Sequence, residues 1–248
     1  MNKIALVTGG SRGIGAATAR RLASLKYDVC INYLRDENAA LKVVAEISEQ
    51  GGHAIAIQAD VSNESDVMNL FVQMDHRIGK ISALVNNVGV LLAQRRVEDL
   101  TAERINFIMA TNVTSYFLCS REAIKRMSRK HGGEGGAIVN VSSVAARLGS
   151  PGEYVDYAAS KGAIDTLTKG LSLELAEEGI RVNCVRPGFI NTAIHVDGGE
   201  ANRVDRLKNT IPLKRGGEPD EVASAIAFLL SDEASYITGA FVDVAGGK

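Results

Sequence analysis

Seven short runs that are apolar on both faces alternate with longer segments of helical period, and this alternation restricts the fold of the 248-residue chain more than any other feature. Residues 4–8, 29–33, 53–59, 81–86, 137–142, 181–186 and 240–244 read as strands. Between them, residues 13–25, 37–50, 63–77, 101–129, 154–177 and 218–230 read as helices. Gly51-Gly52 stops the second helix, Ser62 is placed to cap the third and Gly79 to end it. Thr101 caps the long fourth helix, and Pro219 sits near the first turn of the last, where its missing N–H costs least. Strands without a polar face, each followed by a helix, predict a parallel sheet covered on both sides. With no linker and no internal repeat, the expectation is one doubly wound α/β domain over residues 1–248, built on a seven-stranded parallel sheet.

Composition excludes several function classes. Lys+Arg number 28 against 29 Asp+Glu, a net charge of −1 that offers no field for nucleic acid or an acidic membrane. The basic stretch 121–131, with Lys125, Arg126, Arg129 and Lys130, reads as the solvated C-terminal end of a helix, where cations suit the dipole. No apolar run approaches the ~18 residues of a membrane span, and Met1-Asn2-Lys3 leads straight into a strand without a secretory leader. Cys30, Cys119 and Cys184 are odd in number, far apart and set among apolar neighbours, as expected for buried thiols in a reducing, cytoplasmic setting. The histidines His53, His76, His131 and His195 form no ligand cluster, so no metal is expected.

Thr8-Gly9-Gly10-Ser11-Arg12-Gly13-Ile14-Gly15 lies between the first strand and the first helix. Glycines at such a junction let the backbone turn sharply and approach a pyrophosphate, which the N–H groups of the following helix then bind. Two rival motifs overlap the stretch. Gly9-Gly10-Ser11-Arg12-Gly13 has the form of a serine-hydrolase nucleophile elbow, but that elbow follows a central strand and needs an acid and a histidine from later loops. A P-loop would need a lysine where Gly15-Ala16-Ala17 stands.

The spacing Gly9-x3-Gly13-x-Gly15 resembles instead the phosphate turn of the short-chain dehydrogenase/reductase family. Further segments carry the resemblance in order along the whole chain. They are Asp60-Val61 after the third strand, Asn86-Asn87-Val88-Gly89 after the fourth, and Asn112 within the long helix. Ser142-Ser143 closes the fifth strand, and Tyr157-Ala158-Ala159-Ser160-Lys161 follows. Pro187-Gly188-Phe189-Ile190-Asn191-Thr192 comes after the sixth, and Thr238-Gly239 and Gly246-Gly247 lie at the C-terminal end. The chain resembles bacterial NAD(P)-dependent oxidoreductases of the 3-oxoacyl-[acyl-carrier-protein] reductase and glucose dehydrogenase type. The resemblance implies a Rossmann-type fold, a nicotinamide dinucleotide and interconversion of a carbonyl and a secondary alcohol. It implies cofactor contacts at Gly9, Ser11, Arg12, Gly13, Ile14, Gly15, Tyr33, Arg35, Asp60, Val61, Asn87, Gly89, Tyr157, Lys161, Pro187, Gly188, Ile190 and Thr192.

Tyr157 and Lys161 are one helical turn apart and share a face, about 5–6 Å between Cβ atoms. A free phenol has a pKa of about 10. A neighbouring ammonium, aided by an oxidised nicotinamide ring, is expected to stabilise the phenolate and lower that value. Tyr157 would then be the general acid/base. By the resemblance, Lys161 also bonds the nicotinamide ribose and Asn112 holds a water in a proton relay. The family's catalytic serine falls at Ser143 if the segment before Tyr157 carries one extra residue, with Ser142 as the alternative. Its hydroxyl would stabilise charge developing on the substrate oxygen.

At the end of the second strand, Asn32-Tyr33-Leu34-Arg35 offers no carboxylate for a ribose 2′-hydroxyl before Asp36. Arg12 and Arg35 are placed to meet a 2′-phosphate, which predicts NADP(H) as the preferred cofactor and NAD(H) as the second. Residues 193–211 fill the position of the family's variable substrate lid, and a Gly-rich irregular stretch surrounds Asp197-Gly198-Gly199. Leu148, Tyr154 and Phe189 suit a small ketone, a 3-oxoacyl group or a sugar. Family members are mostly tetramers packed through the two long helices and the C-terminal segment, which implies a homotetramer. A non-catalytic NADP sensor and a serine hydrolase are the rival readings.

Overall fold

The computed structural model describes residues 2–248. The strands are β1 (Lys3–Val7), β2 (Tyr27–Tyr33), β3 (Ala54–Gln58), β4 (Ala83–Asn86), β5 (Gly136–Val141), β6 (Ile180–Pro187) and β7 (Phe241–Val244). They form one sheet in the order β3-β2-β1-β4-β5-β6-β7, every neighbouring pair parallel. The α-helices are α1 (Gly13–Ser24), α2 (Glu37–Glu49), α3 (Glu64–Arg77), α4 (Ala102–Met109), α5 (Ser115–Met127), α6 (Ala145–Leu148), α7 (Val155–Glu174), α8 (Ile194–Asp197), α9 (Arg203–Leu207) and α10 (Pro219–Leu230).

The absence of polar alternation in the strands has a direct cause. Ala5 and Val7 of β1 pack with Leu22, Val43, Ile47 and Ile226 on one face, while Leu6 between them packs with Leu70, Phe71 and Met74 on the other. Both faces are closed by helices, so every position of a central strand is removed from water. From β1 the chain builds outward to β2 and β3, then crosses back to place β4 on the other side of β1. The loops leaving β1 and β4 therefore diverge, and a crevice opens at their carboxyl ends.

Several local expectations differ from the structure. The cap of α3 is Asn63, whose Oδ1 accepts from Ser65 N at 2.9 Å and Asp66 N at 3.2 Å. Ser62 instead donates its hydroxyl to Asp60 Oδ1 at 2.6 Å. Thr101 does cap α4, accepting from Arg104 N at 3.3 Å. The long helix that follows is broken by a π-turn over Ala110–Thr114 and ends at Met127, short of residue 129. The irregular stretch predicted around Asp197-Gly198-Gly199 is confined to residues 198–202, between α8 and α9, with a 3-10 turn (Lys208–Thr210) beyond. The basic stretch is paired along its first half: Arg121 to Glu64 at 2.5 Å, Lys125 to Glu122 at 2.8 Å and Arg126 to Asp75 at 2.7 Å. All three cysteines are free and buried. Among the described residues, no helix is long and apolar enough to cross a membrane.

The cap geometry gives a measurable difference between neighbours. Asn63→Ala should cost about 1 kcal/mol in urea unfolding, with Ser62→Ala costing less. Equal losses would show that the Asn63 bonds are not the working cap.

Candidate functional site

A cleft of about 650 Å³ lies at the carboxyl ends of the strands, over the crevice between β1 and β4. Of the sequence-predicted site residues, all but Gly15 and Asn112 line it. Those two stand directly behind its wall.

The turn between β1 and α1 is shaped by close backbone approach. Gly9 and Gly13 hold φ of 61° and 53°, a region that favours glycine. A Cβ at Gly15 would lie 2.3 Å from Gly9 O and 2.7 Å from Asn87 Nδ2, so no side chain fits there. Asn87 donates its amide to Thr8 O at 2.9 Å and Gly9 O at 3.2 Å, while its backbone N–H donates to Thr8 Oγ1 at 2.9 Å. Asn87 thus fixes the turn as well as lining the cleft. α1 has no side-chain cap and no acid in its first turn. Its first-turn N–H groups have no intrahelical partners and present partial positive charge to an anion. The residues present fit a dinucleotide pyrophosphate.

At one end of the cleft lie Tyr33, Arg35, Asp60 and Val61. The nearest acid, Asp36, is used elsewhere: its Oδ1 caps α2 by accepting from Ala39 N at 2.9 Å. Arg12 is engaged by the lid, its Nη2 donating to Asp197 Oδ2 at 2.8 Å.

The reactive end combines residues from β5, the π-turn and α7. Ser142 is buried and donates its hydroxyl to the backbone carbonyl of Lys161 at 3.0 Å. Ser143 faces the other way, toward Tyr157, and its hydroxyl accepts from Ala145 N at 3.1 Å in the first turn of α6. Burial pushes the Tyr157 phenol up to about 12, with the Ser143 hydrogen bond pulling the other way. Burial also brings Lys161 down to about 8. Lys161 Nζ lies 5.7 Å from the centroid of the Tyr157 ring, and burial sets the direction of the phenol's shift.

Lys161 Nζ donates to Val141 O at 2.9 Å and to Tyr116 Oη at 3.3 Å, and Tyr116 Oη donates to Val141 O at 2.8 Å. Tyr116 was not singled out from the sequence, although it lies one helical turn beyond Asn112. Asn112 sits in the π-turn, fully buried, with Nδ2 donating to Val90 O and Ser160 Oγ, each at 3.1 Å. Its Oδ1 accepts from Val90 N at 2.8 Å.

The far wall is formed by Leu91, Phe107, Leu148, Tyr154, Phe189 and Ile194. Tyr154 is buried and donates to Gly198 O at 3.1 Å, tying the lid to the start of α7. Arg203, also missed as an anchor, is buried between the rings of Tyr154 and Phe189, 4.8 and 5.6 Å from their centroids. It pairs with Glu153 and, at 2.9 Å, with Glu200. His195 donates Nε2–H to Ile190 O at 3.0 Å, and burial lowers its pKa, which keeps the ring neutral. Among the described residues, no histidine is hydrogen-bonded to Ser11, so the nucleophile-elbow reading lacks its base.

Comparison with known proteins bears on the family of the chain. A family model described as Enoyl-(Acyl carrier protein) reductase matches residues 9–248. The chain is 64% identical over 245 residues to a protein of Escherichia coli (strain K12) named Uncharacterized oxidoreductase YgfF, covering 99% of each. It is 41% identical over 250 residues to a 3-oxoacyl-[acyl-carrier-protein] reductase of Synechocystis sp., covering 99% of this chain and 96% of that protein. A solved short chain dehydrogenase from Burkholderia cenocepacia J2315, in complex with NADP, superposes with a TM-score of 0.90 at 37% identity, covering 99% of this chain and 97% of that one.

Proposed function

This chain belongs to the short-chain dehydrogenase/reductase family of oxidoreductases, and we propose that it interconverts a carbonyl and a secondary alcohol with NADP(H) as preferred cofactor. The observation that carries the reading is the convergence of Ser143, Tyr157 and Lys161 on one cleft with the uncapped N-terminus of α1. Gly9, Ser11, Arg12, Gly13 and Ile14 would hold the pyrophosphate, with Gly15 keeping the turn tight. Asp60, Val61 and Gly89 would line the adenosine side, and Pro187, Gly188, Ile190 and Thr192 the nicotinamide side. The bound nicotinamide supplies or accepts the hydride.

The polypeptide does the proton chemistry. A phenol pushed up to about 12 is fully protonated at neutral pH, so Tyr157 holds a proton for a substrate oxygen gaining negative charge. Ser143 beside it is positioned to donate to that oxygen and stabilise the charge. Ser142 is the less suited of the two because its hydroxyl donates to Lys161 O at 3.0 Å, whereas the Ser143 bond to Pro187 O is long, at 3.5 Å. Lys161 fixes the alkaline limit: with a pKa of about 8 it carries its charge through neutral pH and loses it above. Asn112, pinned between Val90 and Ser160, would hold the relay water behind that ammonium. The apolar and aromatic far wall suits a small ketone or a 3-oxoacyl group.

Two surface features support the rest of the reading. Asp36, which lines the cleft beside Arg35, has its Oδ1 taken up in capping α2, while Arg12 and Arg35 both stand at the cleft to meet a 2′-phosphate. A shallow groove between α5 and α7, lined by Phe117, Leu167, Gly170 and Leu171, leaves Phe117 and Leu173 exposed, as a subunit-packing face of a homotetramer would.

Tyr157→Phe should lower turnover about 10²–10⁴-fold in a screen of carbonyl compounds and alcohols followed by NADPH absorbance, while titration with NADPH still shows binding. Full activity in that variant would remove Tyr157 from the mechanism, and ester hydrolysis without NADPH dependence would favour the hydrolase reading. The ratio of kcat/KM for NADPH over NADH should be about tenfold or more, which is about 1.4 kcal/mol of transition-state discrimination; a preference for NADH would reverse the cofactor assignment. Light scattering should give a tetramer, and a monomer at all concentrations would refute the subunit-packing face.

A further inference from the structure

The lid and the phosphate turn, 185 residues apart in sequence, are joined by an ion pair between Arg12 Nη2 and Asp197 Oδ2 at 2.8 Å. Both side chains are open to water, 67% and 45% exposed, so each is free to rotate away from the other. Arg12 lines the cleft, and so does Arg35. Among the described residues Asp197 is the carboxylate paired with Arg12, and Arg35 is in no ion pair. The nearer acid in sequence, Asp36, is turned into the α2 cap. The carboxylate paired with Arg12 thus comes from the lid, while Asp36 and Asp60, which also line the cleft, pair with neither arginine.

We infer that Asp197 is a selectivity residue that competes with the 2′-phosphate of NADP(H) for the Arg12 guanidinium, so that the lid tempers the preference for NADP(H) over NAD(H). The inference rests on the dinucleotide-binding role proposed above. A 2′-phosphate brings about −1.5 to −2 charges to the guanidinium that Asp197 already neutralises. The 2′-hydroxyl of NAD(H) is neutral, so the carboxylate opposes only the phosphorylated dinucleotide.

The lid does not depend on this pair for its place. Its first residues follow Thr192, whose Cγ2 would lie 3.4 Å from a Cβ built on Gly13. His195 bonded to Ile190, Tyr154 bonded to Gly198, and Arg203 paired with Glu153 and Glu200 hold the rest. Removing the Asp197 charge therefore changes the field at Arg12 and leaves the lid packed.

The test is fluorescence titration of the wild-type protein and of Asp197→Asn with NADPH and with NADH. Exposed pairs contribute ~0.2–1 kcal/mol, so the Kd for NADPH should fall up to about fivefold, with the Kd for NADH unchanged. The gain should shrink as salt is raised and vanish in an Arg12→Ala background. Weaker NADPH binding by Asp197→Asn would overturn the inference by showing that the carboxylate orients Arg12 for the phosphate. An equal change for both dinucleotides would overturn it in favour of lid packing, and no change would show the pair to be idle. A wild-type protein that binds neither dinucleotide would instead overturn the functional reading, and this inference with it.

Discussion

The site depends on the clasp between Thr8 and Asn87 at the point where the sheet changes direction. β1 and β4 are neighbours, and their outgoing loops diverge beyond the end of the strand ladder. Thr8 N–H donates to Val85 O at 3.0 Å, and Asn87 returns three bonds to Thr8 and Gly9. This satisfies carbonyls that would otherwise be unpaired in a partly buried turn, where each orphan costs about 1–3 kcal/mol. It also explains why residue 15 has no room for a side chain: Gly9 O and Asn87 Nδ2 occupy the space. A polar clasp and a missing Cβ together leave the first turn of α1 open to the cleft.

At the other end of the cleft the dominant force is desolvation. Tyr157 and Lys161 are moved in opposite directions by the same burial, the phenol up to about 12 and the ammonium down to about 8. Both shifts disfavour charge, so the polypeptide alone sets a neutral phenol beside a cation close to losing its proton. For Lys161 the folded value lies below the unfolded value of 10.5, so the buried ammonium opposes folding below about pH 8. That opposition is relieved between those two values, because there the unfolded chain binds the extra proton and stability rises with pH. The ammonium is tolerated because Val141 O and Tyr116 Oη accept from it. A buried cation is thus held in place at a cost to stability.

Much of this was legible in the sequence, for a reason that particular residues make clear. Leu6 between Ala5 and Val7 announces a strand buried on both faces, and Thr8 to Gly15 announces a turn that approaches a phosphate. Tyr157 and Lys161 announce themselves by sharing one helical face. What escaped is set by tertiary contact. Asn63 and Ser62 are adjacent and equally good caps on paper; Asp60 decides between them by accepting the Ser62 hydroxyl. The π-turn at Ala110–Thr114 has no local signature, because its extra residue is stabilised by Asn112 bonding to Val90 and Ser160 on other segments. Tyr116 looks like any helix aromatic until Lys161 is found against its hydroxyl.

The lid shows the same limit more strongly. Its composition, with Gly198 and Gly199, suggests a loose stretch, yet Arg203 is buried between two aromatic rings and pairs with two carboxylates. A guanidinium is suited to such a place because its flat faces stack while its edge donates. Glu153, which it reaches, lies at the entry to α7, four residues before Tyr157. The Arg203 anchor is therefore attached to the start of the helix that carries Tyr157, whereas His195 is bonded to Ile190. Changes at Ile194 alter the lining of the cleft and leave the His195 and Arg203 anchors in place. Changes at Arg203 or Glu153 would disturb selectivity and the position of Tyr157 together. On the proposed reading, specificity separates from catalysis at Ile194 and is coupled to it through Arg203 of α9.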